Sequence, residues 1–423
     1  MTPTVTEPDI AAADPGRPKH RRRRGRGRVA ALGSMAVCAA VLSACGTSPT
    51  PPRGSHHPRP TGGLSSSAPA ATASAARGSA GVSPAASTSP AAPGAPGWTA
   101  QTAPSGVGLL DDVTCPTTAD CYAVGSNQRG SGPGWIIAST DGGDRWQLLD
   151  TTPAAGLAAI ACPSTQTCIA VGGSVTGSGT AADALVTTDG GRLWTSVPVP
   201  AQVGDPADIA CMSTTRCIAV GGGPAMVLTT DGGSVWTTED LPSGFHTVDS
   251  VTCPTSTFCL LGGSGPGPGA TSPSMGSVTH DGGATWSAAA VVGGASTLGQ
   301  VSCANATDCV GLIASDATDT YGTGTPVVTT DGASTWHPVS TTVGGSVSCV
   351  QRLCVSAGAT HQSATGFDAA AFDSTDGGRV WAPMRVPVSP AYNAVSCPSP
   401  AGCVAVGGNF PTGTTAAIAT YRS

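Results

Sequence analysis

The stretch Ser139-Thr140-Asp141-Gly142-Gly143-Asp144-Arg145-Trp146 decides the reading of this chain, because its pattern returns five more times. The returns begin at Thr187, Thr229, Thr279, Thr329 and Ser374. Each sets an Asp two residues on and a Trp seven residues on: Asp189/Trp194, Asp231/Trp236, Asp281/Trp286, Asp331/Trp336 and Asp376/Trp381. The starts lie 42 to 50 residues apart, the period of a closed or stacked array of small β units. Asp followed by Gly-Gly signals a tight hairpin, since the short carboxylate accepts the turn's N–H groups and glycine takes φ > 0 at little cost. The Ser or Thr adds a side-chain bond across the turn, and the Trp opens the next strand as an apolar anchor. The copy at Thr329 carries Ala333 where the others have Gly, so its turn is expected to differ.

Outward from this box, each unit reads in one order: a strand ending in Cys, a short turn, a strand beginning with Cys, a variable Gly-rich loop, the strand into the box, and the Trp strand. The pairs are Cys115/Cys121, Cys162/Cys168, Cys211/Cys217, Cys253/Cys259, Cys303/Cys309, Cys349/Cys354 and Cys397/Cys403, so there are seven units. Zinc would need four ligands, and the few His residues lie in unrelated positions. In an exported chain each pair instead faces its partner across a hairpin as a structural disulfide, worth roughly 2 kcal/mol on the loop-entropy account. Such even use also argues against a lone catalytic thiol. Trp98 has no box before it, while the seventh unit stops at Ala416 to Tyr421, where its box should begin. The chain is therefore expected to close a ring, the segment at Trp98 supplying the outer strand of the last unit and leaving no long exposed edge.

The repeat resembles the Asp-box, or BNR, repeat of sialidase-like β-propellers. That resemblance implies an all-β, seven-bladed β-propeller in which Asp141, Asp189, Asp231, Asp281, Asp331 and Asp376 are structural residues at the blade edges. It also implies that boxes and cysteine turns share one face, leaving the longer loops on the other. Gly 59 and Pro 36 in 423 residues, with 10% charged residues and no sustained helical period after residue 45, agree with an all-β reading.

Charge is unevenly placed. Residues 1 to 44 sum to +5 and residues 97 to 423 to −14, the latter without a single lysine. An acidic ring repels phosphate backbones, so no nucleic-acid partner is expected. Arg21 to Arg28 precede an apolar run from Val29 to Ala44, which reads as an export signal too short for a comfortable membrane span. Leu42-Ser43-Ala44-Cys45-Gly46 is similar to the lipobox of bacterial lipoproteins. By that resemblance residues 1–45 are a signal peptide, Cys45 is lipidated, and the protein is anchored to the cell membrane outside the cytoplasm, whether exported through the Sec or the twin-arginine route. Residues 46–96 are Pro, Ala, Ser, Thr and Gly with few large apolar side chains, a composition expected to be a disordered stalk. Residues 97–423 form the propeller. The Ala, Gly, Thr and Pro bias points to a high-GC, Gram-positive actinobacterial source.

Binding is expected on the loop-rich face, where Asn127, Arg129, Trp135, Phe245, His246, Asp316, Tyr321, His361, Phe367, Tyr392 and Phe410 suit a carbohydrate or protein ligand. No cofactor or metal is implied. A sialidase-like exo-glycosidase would need an arginine cluster and a Tyr activated by Glu; the ring has one glutamate, Glu239, just after a Trp strand. Seven Asp-box blades also resemble the photosystem II stability/assembly factor propellers, which hold a protein partner and perform no chemistry. They bind through a basic patch, which this acidic ring lacks. The expectation is a non-catalytic binding or scaffold lipoprotein, with the exo-glycosidase as the alternative.

Overall fold

The computed structural model describes residues 97–128, 131–152, 156–176, 179–267, 272–314, 323–363, 366–387, 389–409 and 412–423; the signal and stalk expected over 1–96 lie outside them. The described residues form seven antiparallel sheets and contain no α-helix. Blade 1 runs Leu110–Thr114, Cys121–Gln128, Ser131–Ser139 and Gln147–Thr152 from the centre outward. Blades 2 to 6 repeat that order, starting at the inner strands Gly156–Ala161, Pro206–Cys211, Thr247–Thr252, Leu298–Cys303 and Ser346–Val350. Blade 7 has Tyr392–Ser399, Gly402–Gly408 and Ala416–Arg422, and its outer strand is Gly97–Gln101 from the other end of the chain. Trp98 stands opposite Tyr421 and Gln101 opposite Ile418. Each inner strand packs on the next, and the seventh packs on the first, so the ring is closed as the split unit implied.

Burial follows from stacking. The two middle strands of a blade are covered on both faces by neighbouring blades, so Cys217–Gly221 and Ala225–Thr229 are buried throughout and read as continuous apolar runs. The outer strand Thr237–Asp240 meets solvent and is polar. Core clusters lie between blades: Ile169 and Val171 of blade 2 pack with Ile209, Val227 and Trp236 of blade 3. Fully buried side chains such as Ile136, Ile218 and Leu261 each contribute about 1.5–3 kcal/mol by removal from water.

The boxes fold as the pattern demands. Ser139 Oγ donates to Asp141 Oδ1 at 2.9 Å and accepts from Gly143 N at 2.8 Å, while Asp141 Oδ1 accepts from Arg145 N at 2.9 Å. Gly142 N donates to Ala119 O at 2.7 Å, tying the box to the cysteine turn of its own blade and placing both turns on one face. The same bond recurs in the other five box blades, from Gly190, Gly232, Gly282, Gly332 and Gly377. The box at Thr329 departs less than its sequence suggested: Ala333 adopts φ 67° and still donates to Thr329 Oγ1 at 3.1 Å. Its methyl packs on the Phe258 cluster of blade 4, which offsets the left-handed backbone.

All seven cysteine pairs are disulfides: Cys115–Cys121, Cys162–Cys168, Cys211–Cys217, Cys253–Cys259, Cys303–Cys309, Cys349–Cys354 and Cys397–Cys403. Each closes one hairpin turn, as the spacing implied, and the second cysteine of every pair also belongs to the core. Cys121, Cys168, Cys217, Cys259 and Cys403 are wholly buried, and Cys309 and Cys354 are nearly so. The reason is that each of them opens or nearly opens a second strand, which the neighbouring blades cover on both faces. Cys168 packs in a cluster with Tyr122 and Ile136 of blade 1, Cys259 with Met212 and Ile218 of blade 3, and Cys309 with Phe258 and Leu260 of blade 4. Cys354 joins Val310 and Val328 of blade 5, and Cys403 joins Val355 and Ala371 of blade 6. The disulfides therefore fill the joints between blades as well as closing turns.

Side chains of the inner strands stitch blade to blade. Three residues before the first cysteine, Asp112 accepts Ile160 N at 2.8 Å, Asp208 accepts Val251 N at 2.8 Å, Ser250 accepts Val301 N and Ser346 accepts Val395 N, both at 3.2 Å. One residue before it, Ser302, Ser348 and Ser396 accept Cys349 N, Cys397 N and Cys115 N at 2.9–3.1 Å. Each such bond satisfies an N–H that the antiparallel ladder cannot reach. The seam between blades 2 and 3 differs, because Ala159 and Ala161 hold these positions, with Ala158 just before them, and offer no side-chain acceptor.

Candidate functional site

In six blades a register shift falls four residues before the first cysteine, at Asp111, Ala158, Ala207, Asp249, Gly299 and Asn393. A bulge of this kind re-aims the side chain it carries. Asp249 accepts the Thr297 hydroxyl from blade 5, and Asn393 Nδ2 donates to Leu110 O of blade 1 at 2.8 Å. These groups and the acids beside them ring the bore in the half away from the boxes.

Asp112 and Asp208 are the most perturbed carboxyls there. Burial first, and the charge of Asp208 second, push Asp112 up to about 8, against the pull of Ile160 N–H and Val113 N–H. Burial pushes Asp208 up to about 6, opposed by bonds from Val251 N–H, Ser250 hydroxyl and Ile209 N–H. Both lie on inner strands packed against the inner strand of the following blade, so each carries the desolvation cost of a buried acid. Burial also raises Asp249 and Asp205. The box aspartates move the other way: Thr335 hydroxyl and N–H hold Asp331 down at about 2. Both oxygens of Asp112 accept backbone N–H groups, Val113 N on one and Ile160 N on the other, so this carboxyl braces the ring. A signal for these acids exists in the sequence: Asp112 and Asp208 fall at the same distance from their cysteines.

The expected loop-face residues separate into four groups. Asn127 and His246 are exposed, and Phe245 is half-buried on the blade 3–4 cluster. Trp135 and Tyr392 are corrections, since neither is available to a ligand. Trp135 is 4% exposed and donates Nε1–H to Leu109 O at 3.1 Å, while Tyr392 is 2% exposed and stacks on Trp98 with ring centroids 6.3 Å apart. Each looks like a loop aromatic in the sequence, but lies in a strand and fills a core. His361 and Phe367 sit in the strands Leu353–Ser363 and Gly366–Ser374 of blade 6. Arg129, Asp316, Tyr321 and Phe410 lie outside the described residues.

The sialidase-like constellation of an arginine cluster beside a Tyr–Glu pair does not assemble among the described residues. Arg145, Arg192 and Arg379 belong to boxes and Arg216 and Arg352 to cysteine turns. Glu239 is on the outer strand of blade 3, where burial raises it and Arg216 lowers it. The Tyr122 hydroxyl lies 3.3 Å from both Thr165 O and Gly190 O, and Tyr421 packs on Trp98, so neither tyrosine serves Glu239. No group of three or more His, Cys, Asp or Glu among the described residues could hold a metal ion. A cavity of about 290 Å³ opens on the box face at the seam of blades 1 and 7, between Thr118, Gly142, Pro398 and Arg422. That is at the lower edge of small-molecule sites.

No family model matches the sequence, and no curated protein does. Solved structures share the fold. A structure of YCF48 bound to D1 peptide superposes with a TM-score of 0.50 at 16% identity, covering 79% of this chain and 99% of that one. YCF48 from Cyanidioschyzon merolae gives 0.52 at 15% identity over 77% and 99%. The GH74 enzyme of Niastella koreensis gives 0.55 at 16% identity, covering 73% of this chain and 52% of that one, so the chain spans about half that enzyme's length. Identities this low establish the seven-bladed β-propeller and nothing of the activity.

Proposed function

We propose that this chain is a membrane-anchored, extracytoplasmic lipoprotein whose propeller holds a protein or glycan partner without performing chemistry on it. One observation carries the non-catalytic half: the perturbed acids of the bore have their oxygens bonded to backbone N–H groups of their own and the following blade, as braces do. The anchored half rests on Leu42-Ser43-Ala44-Cys45 after an arginine-rich and apolar leader, and on seven disulfides, which persist in an oxidising compartment. The fold neighbour bound to a peptide supports a protein partner, and the GH74 neighbour supports a glycan. Exposed Asn127 and His246 are the described loop-face residues for such contact.

The test is capture from membranes of the native host with the full chain, beside glycan-array binding and hydrolysis assays on a fluorogenic sialoside and a β-glucan. Saturable binding without turnover supports the reading, and turnover that survives purification overturns it in favour of a glycosidase. Cys45→Ser should release the protein from the membrane fraction. Retention of that variant on the membrane would remove the lipoprotein assignment.

A further inference from the structure

In blades 1 to 6 a box hairpin joins the third strand covalently to the outer strand. Blade 7 has no box. Its outer strand Gly97–Gln101 comes from the far end of the chain and meets Ala416–Arg422 over five residue pairs. At the end of that ladder three segments converge on one hydroxyl. Thr420 Oγ1 accepts a hydrogen bond from Gln101 Nε2 at 2.9 Å and donates to Asp144 Oδ1, in the first box, at 3.5 Å. Gln101 and Thr420 are diagonal neighbours on one face of the pair, since Thr99 is directly opposite Thr420, and a long side chain spans that distance. Arg422 fixes the carboxylate, with Nη2 3.2 Å from Asp144 Oδ1 and 2.8 Å from Gly142 O.

We propose that this node is a self-crosslinking site, at which the Thr420 hydroxyl attacks the side-chain carboxamide of Gln101 to form an ester and release ammonia. The chemistry balances with no co-reactant. The Thr420 O to Gln101 Cδ bond forms as the Cδ–Nε2 bond breaks. The hydroxyl proton passes to Asp144 and on to the departing nitrogen, which leaves as ammonia and regenerates the carboxylate. The arrangement favours this outcome in three ways. Nucleophile and carboxamide are already hydrogen-bonded, which replaces a bimolecular encounter with an intramolecular one. Thr420 is 2% exposed, so water has poor access to the product ester, whereas Asp144 is exposed and gives ammonia an exit. The bond would fall on the one outer strand that no hairpin holds. The inference is independent of what the propeller binds.

The experiment is peptide mapping by mass spectrometry of the full chain, produced with its disulfides and reduced before digestion. The expected product is one peptide joining the segments around Gln101 and Thr420, lighter than their sum by one ammonia and cleaved by alkaline hydroxylamine. Gln101→Ala, Gln101→Glu and Thr420→Val should yield two separate peptides, Thr420→Ser should retain the link, and Asp144→Asn should slow its appearance. Gln101→Glu keeps the shape and lacks the amine leaving group, so it serves if the other variants fail to fold. Folded wild-type chain showing only the two separate peptides after prolonged incubation overturns the proposal, as does a link that persists in Gln101→Ala.

Discussion

Trp98, in the first strand of the ring, stands directly opposite Tyr421 in the last, with ring centroids 5.6 Å apart. Trp98 also stacks on Tyr392 of the inner strand and donates Nε1–H to Met384 Sδ of blade 6 at 3.4 Å. It is the anchor by which the chain's two ends hold one sheet. Trp98→Ala should therefore cost about 3–5 kcal/mol, the range for a buried aromatic truncated in a core. Calorimetry of the variant beside wild type measures this, and an unchanged melting temperature would mean that the closing strand adds nothing to the ring.

Folding raises Asp112 to about 8 and Asp208 to about 6 from an ordinary 3.8. The native ring thus binds their protons more tightly than the unfolded chain. The stability they contribute is complete below the ordinary value and is lost as pH rises through 6 and then 8. The box aspartates act in reverse: Asp331, held at about 2, contributes above 3.8 and loses that contribution as pH falls through 2. Melting temperature should peak at about pH 4, where the box aspartates are ionised and the bore acids still protonated, and decline from there to about pH 8. Asp112→Asn should flatten the decline while lowering the peak, because an amide offers one acceptor to two N–H donors. A melting temperature that climbs steadily from pH 5 to 9 would count against this reading.

The second glycine of a box docks on the preceding blade. At Gly378, with φ +87°, an added Cβ would lie 2.5 Å from Val310 Cγ2 of blade 5. Gly378→Ala should cost about 2–3 kcal/mol, from left-handed strain and overpacking together. Ala333→Gly, at the matching place in blade 5, should change stability by less than about 1 kcal/mol, since relieved strain is offset by lost packing and a freer unfolded chain. Urea titration of both variants tests the pair, and equal effects would refute the difference between the two sites.

Partner capture should respond to the exposed loop residues and not to the buried aromatics. His246→Ala and Asn127→Ala are expected to weaken binding with the melting temperature unchanged, whereas Trp135→Ala should destabilise blade 1 by about 3 kcal/mol or more. Binding isotherms recorded beside melting curves separate the two effects. Intact binding in both loop variants would move the site elsewhere on the ring.

Ring, blade count, closing strand and disulfide pairing are all legible because each is written in a repeated local pattern: the Asp-Gly-Gly turn, the paired cysteines, and Trp98 without a box. The depth of Cys168, Cys259, Cys309, Cys354 and Cys403 is not, because it depends on the blade that covers them and not on the hairpin they close. Trp135 and Tyr392 pass for loop residues because the segments flanking them are rich in Gly or Pro, while the pairing of Trp135 with Gly125 makes the first of these stretches strand. The role of the second box glycine is hidden for a similar reason. Its neighbour, Val310 for Gly378, is about seventy residues away in the sequence and one blade away in space. The bore acids can be noticed by position, but their bonds cross between blades and no single repeat contains both partners.

The three alanines at 158, 159 and 161 give the ring a grain. Every other junction is riveted by at least one polar side chain, and among the described residues this one relies on greasy contact, around Ile169, Ile209 and Trp236. Under load, or as denaturant loosens the fold, the circle should part first here, like a bracelet opening at its clasp. Proteases would then meet the short connector around Ala201–Val203 before any other part of the rim.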